Sequence, residues 1–199
     1  MSVPGEASHF IMTPEARSRE LKSLKIEENT ARNAAVMMLF YPKDVVTHLV
    51  LILRPEYEGV HSGQIALPGG KAETFDQNYT ATALRETQEE VGVHTDTVTV
   101  IKSMTKVYIP PSNFWVHPFL GFTDNRPDFV AQKEEVAKVI EVPLTELLDE
   151  GNVTSQKLTT SYAKNIEVPS FELNGYVVWG ATAMMLSELK MLLKTSIAL

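Results

Sequence analysis

Apolar residues occur along this chain in short blocks separated by turn residues, a spacing typical of strands mixed with a few helices. Two apolar blocks rich in β-forming residues, 34–41 and 46–54, stand on either side of Pro42-Lys43-Asp44. They predict a hairpin. Because neither strand alternates apolar with polar residues, both are expected to be buried on both faces.

The rest of the chain continues this mixture of strands and helices. Further strands are predicted at 97–109, 113–123, 136–142 and, as a hairpin around Asn174-Gly175, at 171–179. Helices are predicted at about 13–25, 79–91, 143–148 and 181–194. Strands outnumber helices, so the fold class is expected to be α/β or α+β, with a mixed sheet between helices. We expect an N-terminal extension with a short helix at 1–31 and one domain at 32–199.

Composition and charge narrow the function classes. The 199 residues are 44% hydrophobic and carry 18 Lys and Arg against 25 Asp and Glu, a net charge of −7 that disfavours nucleic acid as a partner. Without cysteine, the chain has neither a thiol nucleophile nor a Cys-based zinc site. The longest apolar run, 34–41, is too short to span a membrane, and the N-terminus lacks the order of a signal peptide. A cytoplasmic location is therefore expected.

The helix predicted at 79–91 concentrates acidic residues. With Leu84 as zero on a helical wheel, Glu89, Glu86 and Glu90 fall near 140°, 200° and 240°, opposite an apolar face. Like charges four residues apart destabilise a helix unless a cation lies between them. Ligands made only of anionic oxygens favour Mg²⁺ or Mn²⁺. The alternative is a solvated acidic face without a ligand.

The segment 70–93 contains an acidic loop followed by Arg-Glu-x-x-Glu-Glu, and it resembles the Nudix box of the Nudix hydrolases. It departs from that motif in two ways, since Asp76 replaces a glutamate and eight residues, not seven, separate it from Arg85. The resemblance implies a Nudix fold and divalent metals held by Glu86, Glu89, Glu90 and Gly70. It also implies structural roles for Gly69, Asp76, Arg85 and Gly92, with Arg85 paired to an acid of the loop.

A second resemblance concerns the stretch before this box. Arg54, His61, Gly63, Gln64 and Pro68-Gly69-Gly70 match the upstream motif of coenzyme A diphosphatases, which implies that the first four bind substrate. The motif's arginine is replaced here by Gly59, and three further positions differ, namely Ile52, Pro55 and Leu67. An arginine there would be a plausible partner for a substrate phosphate.

These patterns predict a metal-dependent hydrolase that cleaves the diphosphate of a nucleoside-diphosphate-linked compound, with coenzyme A or an acyl-CoA as the best single candidate. The general base is expected among Glu86, Glu134 and Glu135. Rival hypotheses are the same chemistry on ADP-ribose, NADH or nucleoside triphosphates, a Nudix module that binds a nucleotide without cleaving it, and a structural Ca²⁺ site. The expected partner is a small nucleotide; a hairpin edge or the N-terminal helix could also serve a homodimer.

Overall fold

The computed structural model describes residues 2–23, 30–59, 61–159 and 165–197. Within these ranges the chain forms five α-helices and eleven strands. The helices are α1 Glu6–Ile11, α2 Glu15–Ser23, α3 Tyr79–Val91, α4 Leu144–Leu148 and α5 Gly180–Ile197. The strands are β1 Arg32–Lys43, β2 Val46–Leu53, β3 Ile65–Ala66, β4 Gly69–Lys71, β5 Thr99–Ser103, β6 Val107–Ile109, β7 Phe114–Phe122, β8 Lys138–Pro143, β9 Val153–Leu158, β10 Ile166–Leu173 and β11 Tyr176–Trp179.

The larger sheet is mixed. Its main path runs β3-β2-β1-β7-β5, with β4 paired to β1, β6 paired to β7 and β8 paired to β2. Strand β1 is antiparallel to β2 and parallel to β7, so it lies at the centre of the sheet. A smaller antiparallel sheet has the order β11-β10-β9.

Helices cover both faces of the larger sheet. Alternate residues of β1 point to opposite sides, so this strand packs against both helical layers. One set packs with Ala83 and Val91 of α3, and it comprises Ala35, Met37, Leu39 and Tyr41. The other set packs with Met185 and Leu189 of α5, and it comprises Ala34, Val36, Met38 and Phe40. The predicted fold class, a mixed sheet between helices, is confirmed.

Most predicted elements are present, including the β1–β2 hairpin, the Asn174-Gly175 hairpin and helices α3, α4 and α5. The N-terminal helix starts at Glu15, one residue after the predicted first helical position, Pro14, and its predicted end at about Lys25 lies outside the described residues. Helix α1 and strands β4 and β9 were not predicted, and Gly69-Gly70, expected as a turn, belongs to β4. None of the described helices is long and apolar enough to cross a membrane.

The prediction of a single strand at 97–109 is wrong. A short 3₁₀ turn at Thr95–Thr97 precedes two separate strands, β5 and β6, which pair with different parts of β7. Pro118 of β7 lies opposite the break, where its carbonyl accepts a hydrogen bond from Met104 at 2.9 Å. Because proline has no N–H to donate, the ladder is interrupted at this point.

Candidate active site

Helix α3 has well-defined ends, and both follow from local sequence. The Asn78 side chain accepts a hydrogen bond from the Ala81 N–H at 2.9 Å and caps the first turn. At the other end Gly92 adopts a left-handed conformation, with φ 75°, and donates to the Gln88 carbonyl. These caps fix where the acidic residues of α3 lie relative to the sheet.

Arg85 is the centre of an ion-pair network beside α3. Its Nε and Nη2 donate to the two oxygens of Asp76, each at 3.0 Å, and Nη2 also donates to the Lys71 carbonyl at 3.1 Å. Its Nη1 donates to Glu86 at 2.9 Å and to Glu89 at 2.8 Å. The Arg85 hydrogen bond holds the pKa of Asp76 well below its usual range, so Asp76 stays ionised and anchors the guanidinium.

Glu90 lies in the interior, with only 1% of its surface exposed. Its Oε2 accepts a hydrogen bond from the Gly69 N–H at 2.8 Å. Burial raises the pKa of Glu90 to about 7; the charges of Glu86 and Glu135 add to this rise, and Gly69 and Arg54 oppose it. Glu90 is therefore a buried acid that the protein leaves short of positive charge.

Glu86 occupies the space that a side chain at position 70 would fill, since Gly70 has none. A β-carbon on Gly70 would come within 2.5 Å of the Glu86 carboxyl carbon. Strand β4 pairs with β1 so that Gly70 lies opposite Ala35, which fixes the position of this gap. Burial raises the pKa of Glu86, although its hydrogen bond from Arg85 acts in the opposite direction.

The expectation that all three glutamates lie on one face, opposite the face that packs, is wrong for Glu90. The buried residues of α3 are Thr82, Ala83, Thr87, Glu90 and Val91. Glu89 does face solvent, with 55% of its side chain exposed. A helical wheel assumes that acids avoid burial, and here the Gly69 N–H from a separate strand makes burial of Glu90 possible.

Two further acids reach this site from the loop between β7 and β8. The backbone N–H groups of Val130 and Gln132 donate, at 3.0 Å each, to carbonyls of the last turn of α3. This attachment brings Glu134 and Glu135 to the wall of a cavity of about 380 Å³. The lining of this acidic cavity includes Glu86, Glu90, Glu134, Glu135, Arg54 and Lys71.

The acidic cavity suits a divalent cation. Among the described residues, no three acidic or histidine side chains already converge closely enough to enclose an ion. The carboxylates of Glu86 and Glu90 nevertheless face one cavity, and their pKa values are raised by burial and by the charges of neighbouring glutamates, which a cation would offset. Oxygen donors of this kind fit a hard ion. Glu89 does not line the cavity and is held by Arg85.

A second, larger cavity of about 620 Å³ adjoins the acidic one and is lined mostly by apolar side chains. The two share Arg54, Tyr57 and the strand β4. Three of the four upstream-motif residues predicted to bind substrate, Arg54, His61 and Gln64, line the larger cavity, but Gly63 does not. Gly63 has φ 63° and forms a turn closed by its N–H bond to Pro55.

The His61 side chain is fixed by a contact of 3.2 Å between its Nδ1 and Gln64 Oε1. Burial lowers the pKa of His61, so its ring is neutral at neutral pH. Because Gln64 Oε1 can only accept, Nδ1 carries the proton of the neutral ring, and Nε2 is left as an acceptor for a substrate in the larger cavity.

Sequence reasoning missed several residues of these cavities. Lys71 lines both, although it lies inside the recognised motif; a cation beside a predicted metal site could have been noted. The larger cavity is also lined by α5, through Thr182, Met184 and Met185, and by Arg17 and Leu21 of α2. No local pattern places these distant segments together.

Comparison with known proteins decides the family. The NUDIX domain matches residues 31–162. The chain belongs to the Nudix family. It is 32% identical over 160 residues to the uncharacterized Nudix hydrolase NudL of Yersinia pestis (strain Pestoides F), covering 80% of this chain and 79% of that protein. NudL of Yersinia pseudotuberculosis serotype O:1b (strain IP 31758) is similar to the same extent.

Solved structures support the Nudix fold. RenU, a Nudix hydrolase of M. smegmatis, aligns with a TM-score of 0.54 and 14% identity over 85% of this chain and 88% of that one. A MutT/nudix family protein of Enterococcus faecalis aligns with a TM-score of 0.56 and 16% identity, over 95% and 73% of the two chains. At this level of identity these two likenesses concern the fold alone.

The protein is thus a Nudix hydrolase, an enzyme that cleaves diphosphate linkages with the help of divalent metal ions. Buried carboxylates line one cavity, and the cations Arg54 and Lys71 lie at the wall that it shares with the larger cavity.

Proposed function

We propose that this Nudix hydrolase cleaves the diphosphate of coenzyme A or an acyl-CoA and releases phosphopantetheine, or its acyl form, and adenosine 3′,5′-bisphosphate. One observation carries the proposal: the acidic cavity opens beside a mostly apolar cavity of about 620 Å³ lined by Arg54, His61 and Gln64 of the upstream motif. A diphosphate placed at the shared wall would leave a long or bulky group in the larger cavity.

Mg²⁺ or Mn²⁺, held by Glu86, Glu90 and the Gly70 carbonyl, would neutralise phosphate oxygens and acidify a water. Glu89, the fourth ligand that the resemblance implies, lies outside the acidic cavity and would have to leave Arg85 to join them. Arg54 and Lys71 bind the diphosphate oxygens. Glu86, Glu134 or Glu135 accepts the proton of the attacking water, since all three line the acidic cavity. Arg85 and Asp76 keep α3 and its carboxylates in position.

The test is turnover of a substrate panel with Mg²⁺ or Mn²⁺ and chromatographic separation of products. The panel contains coenzyme A, acetyl-CoA, ADP-ribose, NADH, dinucleoside polyphosphates and deoxynucleoside triphosphates. We expect the highest kcat/KM on coenzyme A or acetyl-CoA, with adenosine 3′,5′-bisphosphate as a product. A higher kcat/KM on ADP-ribose, NADH or a triphosphate would contradict the assignment of coenzyme A or an acyl-CoA as the substrate. Binding without turnover of any compound would favour a non-catalytic module.

A further inference from the structure

The N-terminal segment, which precedes the family match at residue 31, lines one side of the larger cavity. Its apolar contributions are Met12, from the link between α1 and α2, together with Pro14 and Leu21. Arg17 also lines the cavity and pairs with Glu20 of the same helix. Met12 is only 1% exposed, so the link is packed into the core. The N-terminal segment is therefore part of the cavity wall.

A buried acid outside the acidic cavity anchors this segment to the body of the enzyme. Glu188 of α5 is fully buried and accepts hydrogen bonds of 3.0 Å from the N–H groups of Gly5 and Thr105. Burial raises the pKa of Glu188, but hydrogen bonds from His9, Thr105 and Gly5 together lower it below its ordinary value, so the acid stays charged. One carboxylate thus joins the N-terminus, the link between β5 and β6, and α5.

His9 extends this anchor to the cavity wall. Its Nε2 lies 3.3 Å from Glu188 Oε2, and its side chain is only 3% exposed. The His9 carbonyl accepts a hydrogen bond from the Met12 N–H at 3.1 Å and another from the Thr13 hydroxyl at 2.9 Å. The contact with Glu188 therefore fixes the position of Met12.

On α5, Glu188 lies one turn beyond two methionines that line the same cavity, Met184 and Met185. Residues three and four positions apart lie on one side of a helix, so the anchor point is next to the cavity. Met12, Met184 and Met185 belong to one apolar cluster, and we call these three residues the methionine wall. Glu188 holds its N-terminal part against its α5 part.

The methionine wall is suited to an alkyl chain. Methionine side chains are unbranched and polarisable, so they adapt to apolar groups of irregular shape, and they offer no hydrogen-bond donor to a phosphate. The cavity that they line is continuous with the acidic cavity through Arg54 and Lys71. A chain at this wall can therefore belong to a substrate whose diphosphate lies at the shared wall.

We propose that the methionine wall, held in place by Glu188, binds an alkyl chain of the substrate, with Glu188 as a positioning residue for substrate selection. This inference rests on the proposed function, because an acyl-CoA carries such a chain on its thioester. It predicts that an acyl-CoA is preferred to free coenzyme A, and it gives the N-terminal segment a part in that choice.

The first experiment measures binding and does not depend on coenzyme A. Full-length enzyme with ¹³C-labelled methionine methyl groups is titrated with 1-hexanol, which carries the chain without the nucleotide, and followed by NMR. We expect saturable shifts of the Met12, Met184 and Met185 methyl signals. Met191 is the internal control, because it lies on α5 but is 38% exposed and outside the lining of both cavities. Unchanged Met12, Met184 and Met185 signals, or equal shifts at Met191, would overturn the proposal.

The second experiment measures kcat and KM for coenzyme A and hexanoyl-CoA. Wild-type enzyme should have a KM about 10-fold lower for hexanoyl-CoA, because part of the chain is buried. Glu188→Gln should remove most of this difference and leave kcat unchanged, whereas Glu6→Gln, at an exposed position of α1, should alter neither constant. Equal losses on both substrates would show a merely structural role. If neither compound is cleaved, the proposed function fails, while the NMR titration still decides whether the wall binds an alkyl chain.

Gly5→Pro keeps the proposal falsifiable if Glu188→Gln folds poorly. Proline has no N–H to donate to Glu188, so this variant weakens the anchor from the N-terminal side and leaves α5 unchanged. It should raise the Kd for 1-hexanol and the KM for hexanoyl-CoA about 3-fold, with kcat unchanged. Gly5→Ala is the matched control, because it keeps the N–H and its methyl group would meet no atom within 4 Å. A folded Gly5→Pro enzyme with wild-type selectivity would count against the role of Glu188.

Discussion

The two cavities share a wall at β4 but are built from opposite kinds of residue. In the acidic cavity, buried carboxylates repel one another, and the pKa values of Glu86 and Glu90 are raised. In the larger cavity, apolar side chains from α2, β1 and α5 lie beside three cationic residues, Arg17, Arg54 and Lys71. Burying carboxylates that repel one another costs stability, and we expect a bound cation to offset this cost. The larger cavity, in contrast, is an opening in an ordinary apolar core. Chemistry and selectivity should therefore respond to different substitutions.

The largest effect is expected from Glu90→Gln. This change removes the charge of a proposed metal ligand but keeps an oxygen for the Gly69 N–H, so kcat/KM should fall about 100-fold or more while the fold is retained. Without added metal, the midpoint of thermal unfolding should not fall, since the variant lacks a buried charge that neighbouring carboxylates repel. Mg²⁺ should raise the midpoint of wild-type enzyme and not that of the variant.

Glu73→Gln is the matched control for Glu90→Gln, because Glu73 lies in the same motif but is 41% exposed and pairs with Lys71. It should keep near-normal activity and the thermal response to Mg²⁺. A Glu90→Gln variant with wild-type turnover would disprove the role of this carboxylate in metal binding.

The neighbouring glycines of β4 separate function from folding. In Gly70→Ala the new methyl would displace the Glu86 carboxylate, a flexible group, so kcat should fall about 10- to 100-fold with little loss of stability. In Gly69→Ala the methyl would overlap the Ala35 carbonyl oxygen, and φ is 149°, so the unfolding free energy should fall by about 2 kcal/mol or more. Chemical denaturation and steady-state kinetics on both variants check this pair. A Gly70→Ala enzyme with normal kcat would show that the position of Glu86 is not critical.

Much of the fold could be predicted because local signals and tertiary structure agree. Asn78 and Gly92 define α3 to the residue, and Asn174-Gly175 defines its hairpin. Strand β9 was missed because its alternating exposure becomes meaningful only beside β10. The split of the strand predicted at 97–109 likewise depends on Pro118 of a different strand.

The site could be predicted only in part, for a related reason. The motif pointed to the acids of α3, yet the burial of Glu90 depends on the Gly69 N–H, which a helical wheel does not contain. The upstream motif pointed to Arg54, His61 and Gln64, but the wall formed by Arg17 joins residues far apart in sequence. Patterns within one helix or strand could be interpreted from the sequence, whereas contacts between elements could not be predicted from it.

Asp76→Asn tests how the acidic cavity is held in place. Asp76 is 5% exposed and binds Arg85 through two hydrogen bonds, so the variant should lose about 1–3 kcal/mol of unfolding free energy at pH 7. The folded-state pKa of Asp76 is lowered, so its contribution is complete above the ordinary carboxyl pKa and is lost as the pH falls through the folded value. Urea denaturation should therefore show a constant difference between pH 8 and 5 that narrows below about pH 4. A difference that grows on acidification would contradict this pairing.

The smallest effect is expected in the larger cavity, from Ala181→Phe. Ala181 lies in the first turn of α5 and lines the larger cavity but not the acidic one, so a phenyl group would take space from the substrate and leave the carboxylates untouched. We expect KM for the preferred substrate to rise about 5-fold, equivalent to about 1 kcal/mol, with kcat and the Mg²⁺ response unchanged. Met191→Phe, on the same helix but 38% exposed and outside the cavity lining, should change neither constant. A fall in kcat for Ala181→Phe with constant KM would mean that the larger cavity positions the reacting diphosphate, and the division of labour between the two cavities would have to be abandoned.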